Sequence, residues 1–273
     1  MIKIPLYDGN NQKNTYLDCA NNKGLPYAFY HPESLTECLD SGKVVLSDLY
    51  LPNASLFSTI DCYAWLMEPR VIHPEAYKFV EKHSNLFKRI YSHDIEFCRN
   101  IQNAVYYPWG TCRFSDEQQL LYTKTHNVSM VCSNKRSSVG HQFRHECIEK
   151  VKQKLTDYIH GGKFSDKFPL HKGYMFSVVV ENCRNKGYFT EKIIDCFRTG
   201  VVPIYWGDPI IGKWFNINGI LTFNSVDELD RILDQCDLHL YNKLNNFVIE
   251  NFYRASRYLH PWIAVINDII VNK

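Results

Sequence analysis

A run of alternating apolar and polar segments, from Ser177 to Gly207, predicts a strand, a turn, a helix and a second strand from residue types alone. Ser177 to Val180 is a short β-branched apolar run, typical of a strand that is buried on both faces of a parallel sheet. Thr190 stands where the N-cap of a helix is expected, and Gly200 follows where helices commonly end in a left-handed residue. Val201 to Trp206 is apolar again and predicts a second buried strand. The pattern therefore predicts a βαβ unit.

Polar side chains gather where the first strand ends and where the helix begins. In an open parallel sheet, ligands bind beyond the carboxyl ends of the strands, where the N–H groups of helix N-termini point outward. The residues at this edge are Glu181, Asn182, Tyr188, Thr190, Glu191 and Lys192. A carboxylate beside an ammonium could bind the ribose and a phosphate of one nucleotide. Three of them also have a purely structural interpretation: Glu191 as a first-turn acid favoured by the helix dipole, Lys192 as its solvated neighbour and Tyr188 as a packing residue.

The spacing E-N-x5-Y-x-T-E-K-x7-G-x-V-P-x3-G, which begins at Glu181, resembles the donor-site motif of the α-1,3-fucosyltransferases. The resemblance implies an inverting glycosyltransferase with an α/β fold of GT-B architecture, in which two Rossmann-like domains with parallel sheets face a central cleft. It also implies GDP-fucose as the donor, with no metal or other cofactor needed. By position, Asn182 and Tyr188 would line the nucleotide pocket. Glu191 would hold the ribose hydroxyls, and Lys192 would neutralise the diphosphate.

Length and charge limit the classes of protein that the sequence fits. The chain has 273 residues, of which 45% are hydrophobic, enough for two domains of modest size. Lys plus Arg number 31 against 29 for Asp plus Glu, so the net charge is too small to attract nucleic acid or an anionic membrane. No window approaches the roughly 18 apolar residues of a membrane span, and the N-terminus lacks a signal-peptide core. The sequence therefore predicts a soluble, cytoplasmic protein, similar to bacterial and large-virus relatives without a membrane anchor.

A second set of patterns predicts the start of the donor half. Asn127 to Cys132 predicts a strand, 133–140 a polar loop, and His141 to Ile159 an amphipathic helix. The predicted domains are an acceptor-side half at 1–124 and a donor half at 125–273, with C-terminal helices that the resemblance implies cross back onto the first half. Arg144 matches the arginine that contacts the diphosphate in fucosyltransferases. An ordinary exposed helix arginine is the alternative.

Glu68 is the candidate catalytic base. Glu68 and Pro69 directly follow the apolar run Thr59 to Met67, and the next predicted helix begins at Pro74. Glu68 therefore lies on a connection between elements. Fucosyltransferases place a catalytic glutamate in a short motif such as E-S-P in the acceptor half, and WLMEPR occupies the corresponding region. Here Pro69 follows directly without an intervening Ser. A solvated loop carboxylate is the alternative.

The sequence predicts no metal site. The segment HDIE at 93–96 comes nearest to a metal-binding D-x-D motif, but Asp94 suits the N-cap of a helix better. His141 and His145 are four residues apart, yet no spacing places a third ligand, and Glu146 does not lie between them as in H-E-x-x-H. The ten cysteines form no C-x-x-C pair and are interpreted as free thiols.

The predicted reaction is transfer of L-fucose from GDP-fucose to a glycan hydroxyl, so the predicted partners are a nucleotide sugar and a glycan acceptor, without nucleic acid. Two alternatives stay open. A lysine and an arginine recognise any diphosphate, so another donor such as UDP-xylose fits the same residues. A non-catalytic module that binds a nucleotide sugar or a glycan is the second alternative.

Overall fold

The computed structural model describes residues 1–9, 14–161 and 166–271. The chain forms two compact units: the first is Met1–Pro108 together with the C-terminal segment from His260, and the second is Trp109–Leu259. Each unit is built on its own parallel sheet with helices, so the predicted α/β class is confirmed.

The strands of the first unit are β1 (Ile2–Tyr7), β2 (Tyr27–Tyr30), β3 (Lys43–Ser47), β4 (Asp61–Leu66), β5 (Arg89–Ser92) and β6 (Ala104–Tyr106). They form a parallel sheet with the strand order β2-β1-β3-β4-β5-β6. The helices of this unit are α1 (Thr15–Lys23), α2 (Leu35–Ser41), α3 (Pro74–His83), α4 (Ile95–Asn100) and the C-terminal α10 (Pro261–Val271). The apolar run 59–67 is therefore a strand, and Pro74 opens α3 as predicted, since proline is tolerated where its missing N–H has no helical partner.

Side-chain contacts attach α10 to the first sheet. Arg89 on β5 donates two hydrogen bonds from Nη1 to the Asp268 carboxylate, at 2.8 and 2.7 Å, and the hydroxyl of Tyr91 donates a third at 2.8 Å. The Tyr107 hydroxyl donates to the carbonyl oxygen of Ala264 at 3.0 Å. These bonds explain why a segment that is distant in sequence belongs to the first unit.

The strands of the second unit are β7 (His126–Cys132), β8 (Asp157–His160), β9 (Tyr174–Val180), β10 (Val202–Trp206) and β11 (Leu221–Thr222). They form a parallel sheet with the strand order β11-β10-β9-β7-β8. The helices of this unit are α5 (Val139–Val151), α6 (Pro169–Lys172), α7 (Glu191–Phe197), α8 (Val226–Leu233) and α9 (Leu238–Ala255).

The central βαβ unit is confirmed as β9, α7 and β10. Every residue of β9 and of β10 is buried, as expected for strands covered on both faces. Thr190 is the N-cap of α7, its hydroxyl accepting the N–H of Lys192, and Gly200 has the left-handed φ of 74°.

One predicted helix is wrong in its second half. The segment 141–159 was expected to be a single helix, but α5 ends at Val151 and Asp157–His160 forms strand β8, parallel to β7. Short apolar runs do not distinguish helix from strand. Here the segment forms a strand because it pairs with the edge of β7. As a result His160 lies at the carboxyl end of a strand.

The second unit also includes 109–124, which the sequence analysis assigns to the first half. The Arg113 N–H donates to the carboxylate of Asp195 at 2.8 Å, and Arg198 donates from Nε to Gln119 at 3.0 Å. Asp195 belongs to α7, so this segment is tied to the centre of the second unit.

Within the described ranges, no helix is both long enough and apolar enough to cross a bilayer. The ten cysteines all lie in these ranges, and all are free thiols, as predicted.

Candidate active site

The donor-site candidates lie at the carboxyl edge of the second sheet. Strands β7 and β9 are neighbours, and the chain leaves β7 towards β8 on one side and β9 towards β10 on the other. Helices α5 and α7, which follow these two strands, therefore both begin at the point where the strand order reverses. Open α/β sheets bind their ligands at this switch point.

The N-terminus of α5 packs directly against the end of β9. Ser138 caps the helix by accepting the His141 N–H at 3.1 Å. The Gly140 N–H donates to the carbonyl oxygen of Asn182 at 3.1 Å, and a Cβ at position 140 would collide with the backbone of Glu181 and Asn182. Glycine is therefore needed here for close approach, not for an unusual φ.

Glu181 is fully buried and acts as an internal counter-charge. Its carboxylate accepts hydrogen bonds from the N–H of Thr190 at 2.9 Å and from the Thr190 hydroxyl at 2.8 Å. The Lys192 ammonium lies 3.3 Å from the same carboxylate. The structure thus places Glu181 beneath the loop that leads into α7, where it positions Thr190 and Lys192.

Lys192 and Glu191 form the charged pair at this edge. The Lys192 ammonium donates to the Thr190 hydroxyl at 2.9 Å and lies 3.4 Å from the Glu191 carboxylate, and its side chain is 22% exposed. Burial alone would lower the pKa of Lys192, but the charges of Glu191 and Glu181 raise it. Burial likewise opposes ionisation of Glu191, yet Lys192 holds the pKa of that carboxyl well below its usual range. Both groups are therefore charged at neutral pH.

Arg144 reaches the same edge from α5. It is 6% exposed, and its Nη2 donates to the carbonyl oxygen of Val180, the last residue of β9, at 2.6 Å. Burial lowers the pKa of Arg144, while neighbouring carboxylates, including Glu181, oppose that shift. The guanidinium stays charged because its ordinary pKa lies so high. The exposed helix arginine that the sequence left as an alternative is thus excluded.

Asn182 and Tyr188 complete the predicted donor set. The Asn182 amide donates to the Tyr188 hydroxyl at 3.2 Å, and Tyr188 is 1% exposed. Beyond β10 and β11, on the same edge, lies a cavity of about 220 Å³ whose lining includes Arg184, Asp208 and Asn224. All seven donor-site candidates therefore lie within one region of the second unit.

Glu68 lies at the equivalent edge of the first sheet, after β4. The Asp48 carboxylate accepts the N–H groups of Met67 at 3.1 Å and of Glu68 at 3.3 Å. The Tyr77 hydroxyl donates to the carbonyl oxygen of Glu68 at 3.2 Å. The backbone of Glu68 is therefore fixed on both sides, and its side chain is partly buried.

Three polar residues to which the sequence analysis gives no role lie at the same edge as Glu68. Asp8, Asp48 and His93 directly follow β1, β3 and β5, which are neighbours of one another or of β4 in the sheet. Burial raises the pKa of Asp48 to about 8 and lowers the pKa of His93 to about 4. The signal was present in the sequence, since each residue is the first acid or histidine after an apolar strand.

The predicted N-cap role of Asp94 is confirmed, because its carboxylate accepts the Glu96 and Phe97 N–H groups, each at 3.0 Å.

Comparison with solved structures identifies the architecture as that of GT-B glycosyltransferases. A DNA-modifying β-glucosyltransferase, solved with and without uridine diphosphoglucose, matches with a TM-score of 0.58 at 12% identity, over 98% of this chain and 99% of that one. A trehalose-phosphate synthase from Burkholderia xenovorans matches with a TM-score of 0.55 at 12% identity, over 83% and 73%. An α1,3-fucosyltransferase solved with GDP-fucose matches with a TM-score of 0.56 at 15% identity, over 92% and 82%. Identities this low establish the fold alone.

Sequence similarity adds one relative, a fucosyltransferase. A stretch of 61 residues is 38% identical to the α-(1,3)-fucosyltransferase FucT of Helicobacter pylori, and it spans 22% of this chain and 13% of that enzyme. No family model matches the chain. The resemblance to the α-1,3-fucosyltransferases is thereby confirmed over this limited stretch.

Proposed function

We propose that the protein is an inverting glycosyltransferase that transfers L-fucose from GDP-fucose to a glycan hydroxyl. The observation that carries the proposal is the position of the Lys192 ammonium, which Thr190 and Glu181 hold at the switch point of the second sheet. The similarity to the Helicobacter pylori enzyme and the fold shared with a fucosyltransferase solved with GDP-fucose support the choice of donor.

In this proposal the two cations act on the leaving group. As the bond between the anomeric carbon and the diphosphate breaks, the bonding electrons move to the diphosphate oxygen. Lys192 and Arg144 would stabilise that growing negative charge, a task that a divalent metal performs in other enzymes. The N–H groups at the start of α5 would add to the same field. Glu191 would accept hydrogen bonds from the ribose hydroxyls.

Glu68 would be the general base of the first unit. It would take the proton of the acceptor hydroxyl while that oxygen forms its bond to the anomeric carbon. Attack on the face opposite the departing diphosphate inverts the configuration. The bonds that Asp48 and Tyr77 make to the backbone would fix the position of the carboxylate.

A second donor class also has a specific observation behind it. The β-glucosyltransferase that shares this fold over nearly the whole chain was solved with a uridine diphosphate sugar, and neither Lys192 nor Arg144 distinguishes guanine from uracil. A UDP-sugar such as UDP-xylose is therefore the competing donor.

The deciding experiment measures binding of GDP and UDP by calorimetry, followed by hydrolysis and transfer with GDP-fucose and a panel of UDP-sugars. The proposal expects GDP to bind more tightly and GDP-fucose to be consumed. Turnover of a UDP-sugar alone would favour the second donor class. Binding of a nucleotide sugar without any turnover would identify a binding module, and no binding of either nucleotide would contradict the donor site itself.

A further inference from the structure

Three side chains with metal-binding atoms converge beside the donor edge, outside the residues used above. Cys132 and His160 are the last residues of β7 and β8 and are direct partners in the parallel ladder. Directly opposite residues of neighbouring strands point to the same face of a sheet. His145 approaches from α5, and the ligand atoms of the three side chains all lie within 4.8 Å of one another.

The distances in this cluster match the edges of a tetrahedral zinc site. The Cys132 Sγ lies 3.6 Å from His145 Nδ1, and His145 Nδ1 lies 3.1 Å from His160 Nε2. Zinc bonds of about 2.3 Å to sulfur and about 2.0–2.1 Å to nitrogen, at tetrahedral angles, require roughly 3.6 Å between S and N and roughly 3.3 Å between N and N. Two of the three edges therefore fit without movement of the backbone.

Neighbouring acceptors select the ring tautomers that a metal needs. The carbonyl oxygen of Lys135 lies 3.2 Å from His145 Nε2, and a carbonyl can only accept, so the hydrogen belongs on Nε2 and the lone pair on Nδ1. The Glu149 carboxylate lies 3.5 Å from His160 Nδ1 and favours a hydrogen there, which leaves the lone pair on Nε2. Metal-binding histidines usually have such carboxylate or carbonyl partners on the second nitrogen.

The two lone pairs then face each other at 3.1 Å, an arrangement that is repulsive unless a proton or a cation lies between them. We infer that Cys132, His145 and His160 are three ligands of a zinc ion. Binding would release the thiol proton of Cys132, because thiolate is the form that coordinates. The His160 side chain is 28% exposed, which leaves an entry path and room for water as the fourth ligand.

The ion would connect the ends of two strands to α5 and so enclose the loop 133–138, whose last residue caps α5 at the donor edge. Its role would be structural and separate from the proposed transfer chemistry, which assigns the diphosphate charge to Lys192 and Arg144. Sequence reasoning rejected a zinc site because no spacing supplied a third ligand. The missing ligands come from the ends of two strands, one of which was predicted to be helix.

The test is a Co²⁺ titration of the metal-free protein, monitored by absorption. The inference expects one equivalent to bind, with a thiolate-to-cobalt charge-transfer band and tetrahedral d–d bands, and Zn²⁺ to displace it and raise the Tm. Cys132→Ser should remove the charge-transfer band, and His160→Gln should weaken binding at least tenfold. Glu149→Gln changes the exposed carboxylate that lies against His160 Nδ1, is expected to leave the fold intact, and should weaken binding by about 10–100-fold.

Matched controls are His126→Gln, at the opposite end of β7, and Cys98→Ser, in the first unit; both should bind cobalt as the parent does. The inference is overturned if the parent binds no stoichiometric Co²⁺ at micromolar concentration, or if Cys132→Ser keeps the charge-transfer band. Neither readout depends on turnover, so failure of the zinc site and failure of the proposed transferase activity are distinguishable.

Discussion

At the residue scale, the buried carboxylate of Glu181 positions the polar side chains of the donor edge. Burying an ionised Glu181 is costly unless it is paired and hydrogen-bonded, and Thr190 and Lys192 meet both conditions. Because these contacts are already formed, Lys192 needs little reorganisation to receive an anion. Preorganised charge of this kind is the main source of transition-state stabilisation in polar sites.

We expect Lys192→Ala to weaken nucleoside diphosphate binding by about 1–3 kcal/mol, the contribution of a charge-assisted hydrogen bond. Calorimetry with GDP and UDP measures the change. Lys213→Ala, on an exposed lysine of the same unit, is the matched control and should bind as the parent does. Parental affinity in folded Lys192→Ala would remove Lys192 from the donor site.

Asp48 shows how a residue that no motif marks can still be recognised by its environment. It has a φ of 40°, which asparagine and aspartate tolerate better than most residues, and burial raises its pKa from 3.8 to about 8. The unfolded chain releases this proton near pH 4, whereas the folded protein keeps it until about pH 8. The folded state thus binds more protons between these values, and the contribution of Asp48 to stability falls as the pH rises.

We therefore expect Asp48→Asn to match the parent in unfolding free energy near pH 4 and to exceed it above pH 8. Asparagine still accepts the Met67 and Glu68 N–H groups but does not titrate. The gain should be on the order of 1–3 kcal/mol, less than the full pKa shift would give, because the side chain is partly exposed and screened by solvent. Urea denaturation across this pH range measures it. An equal gain in the exposed control Asp40→Asn, or no pH dependence, would contradict the pKa assigned to Asp48.

At the element scale, the sequence predicted best where a strand, a cap and a helix all agreed. Thr190, the buried runs on either side of α7, and Gly200 point to the same βαβ unit, and the structure contains it. Residues 157–159 were predicted as helix but lie in strand β8, because their apolar spacing fits a helix as well as a strand. Pairing with β7 decides between helix and strand. This contact joins segments that are far apart in the chain, so the local sequence does not reveal it.

The contact between α5 and the end of β9 supplies a test at this scale. Gly140→Ala should improve helix propensity by about 1 kcal/mol, but its Cβ would collide with backbone atoms of Glu181 and Asn182, which cannot move without disturbing β9. Overpacking of this kind costs about 1–3 kcal/mol, so we expect a net loss of stability and weaker nucleotide binding.

Thermal unfolding together with GDP calorimetry measures both effects of Gly140→Ala. The matched control is Gly212→Ala, where the added Cβ would meet Ile217 at an ordinary 3.4 Å and should be tolerated. If Gly140→Ala were as stable as the control, the packing of α5 against β9 would not be as close as the structure has it.

At the scale of the whole molecule, the sequence predicted two parallel α/β units but not which segments build each one. The position of α10 in the first unit depends on the Arg89–Asp268 pair, whose partners are far apart in the chain, and 109–124 is held in the second unit by Asp195. Neither contact produces a periodic pattern in the sequence from which it could be predicted. Six of the seven donor-site candidates could be placed at one edge because they lie within 181–192, whereas the acid and histidine residues of the first unit follow four separate strands.

The proposed reaction assigns a different task to each unit, and Glu68 tests that division. Inversion requires the base on the face of the sugar opposite the diphosphate, and the diphosphate is assigned to the cations of the second unit. Glu68→Gln keeps the shape and the backbone contacts to Asp48 and Tyr77 but cannot take up the proton. Transfer should therefore fall by about 10²–10⁴-fold, the usual contribution of a general base, while GDP affinity stays at the parental value.

The measurement pairs turnover with calorimetry on the folded variant, and Glu75→Gln on the exposed face of α3 serves as the matched control. Because Glu68 and the donor site belong to different units, loss of turnover with intact GDP binding separates the base from the donor contacts. Near-parental turnover in Glu68→Gln would assign proton transfer to another group, and Asp48, whose pKa lies near 8 and whose carboxylate contacts the same loop, would then be the next residue to substitute.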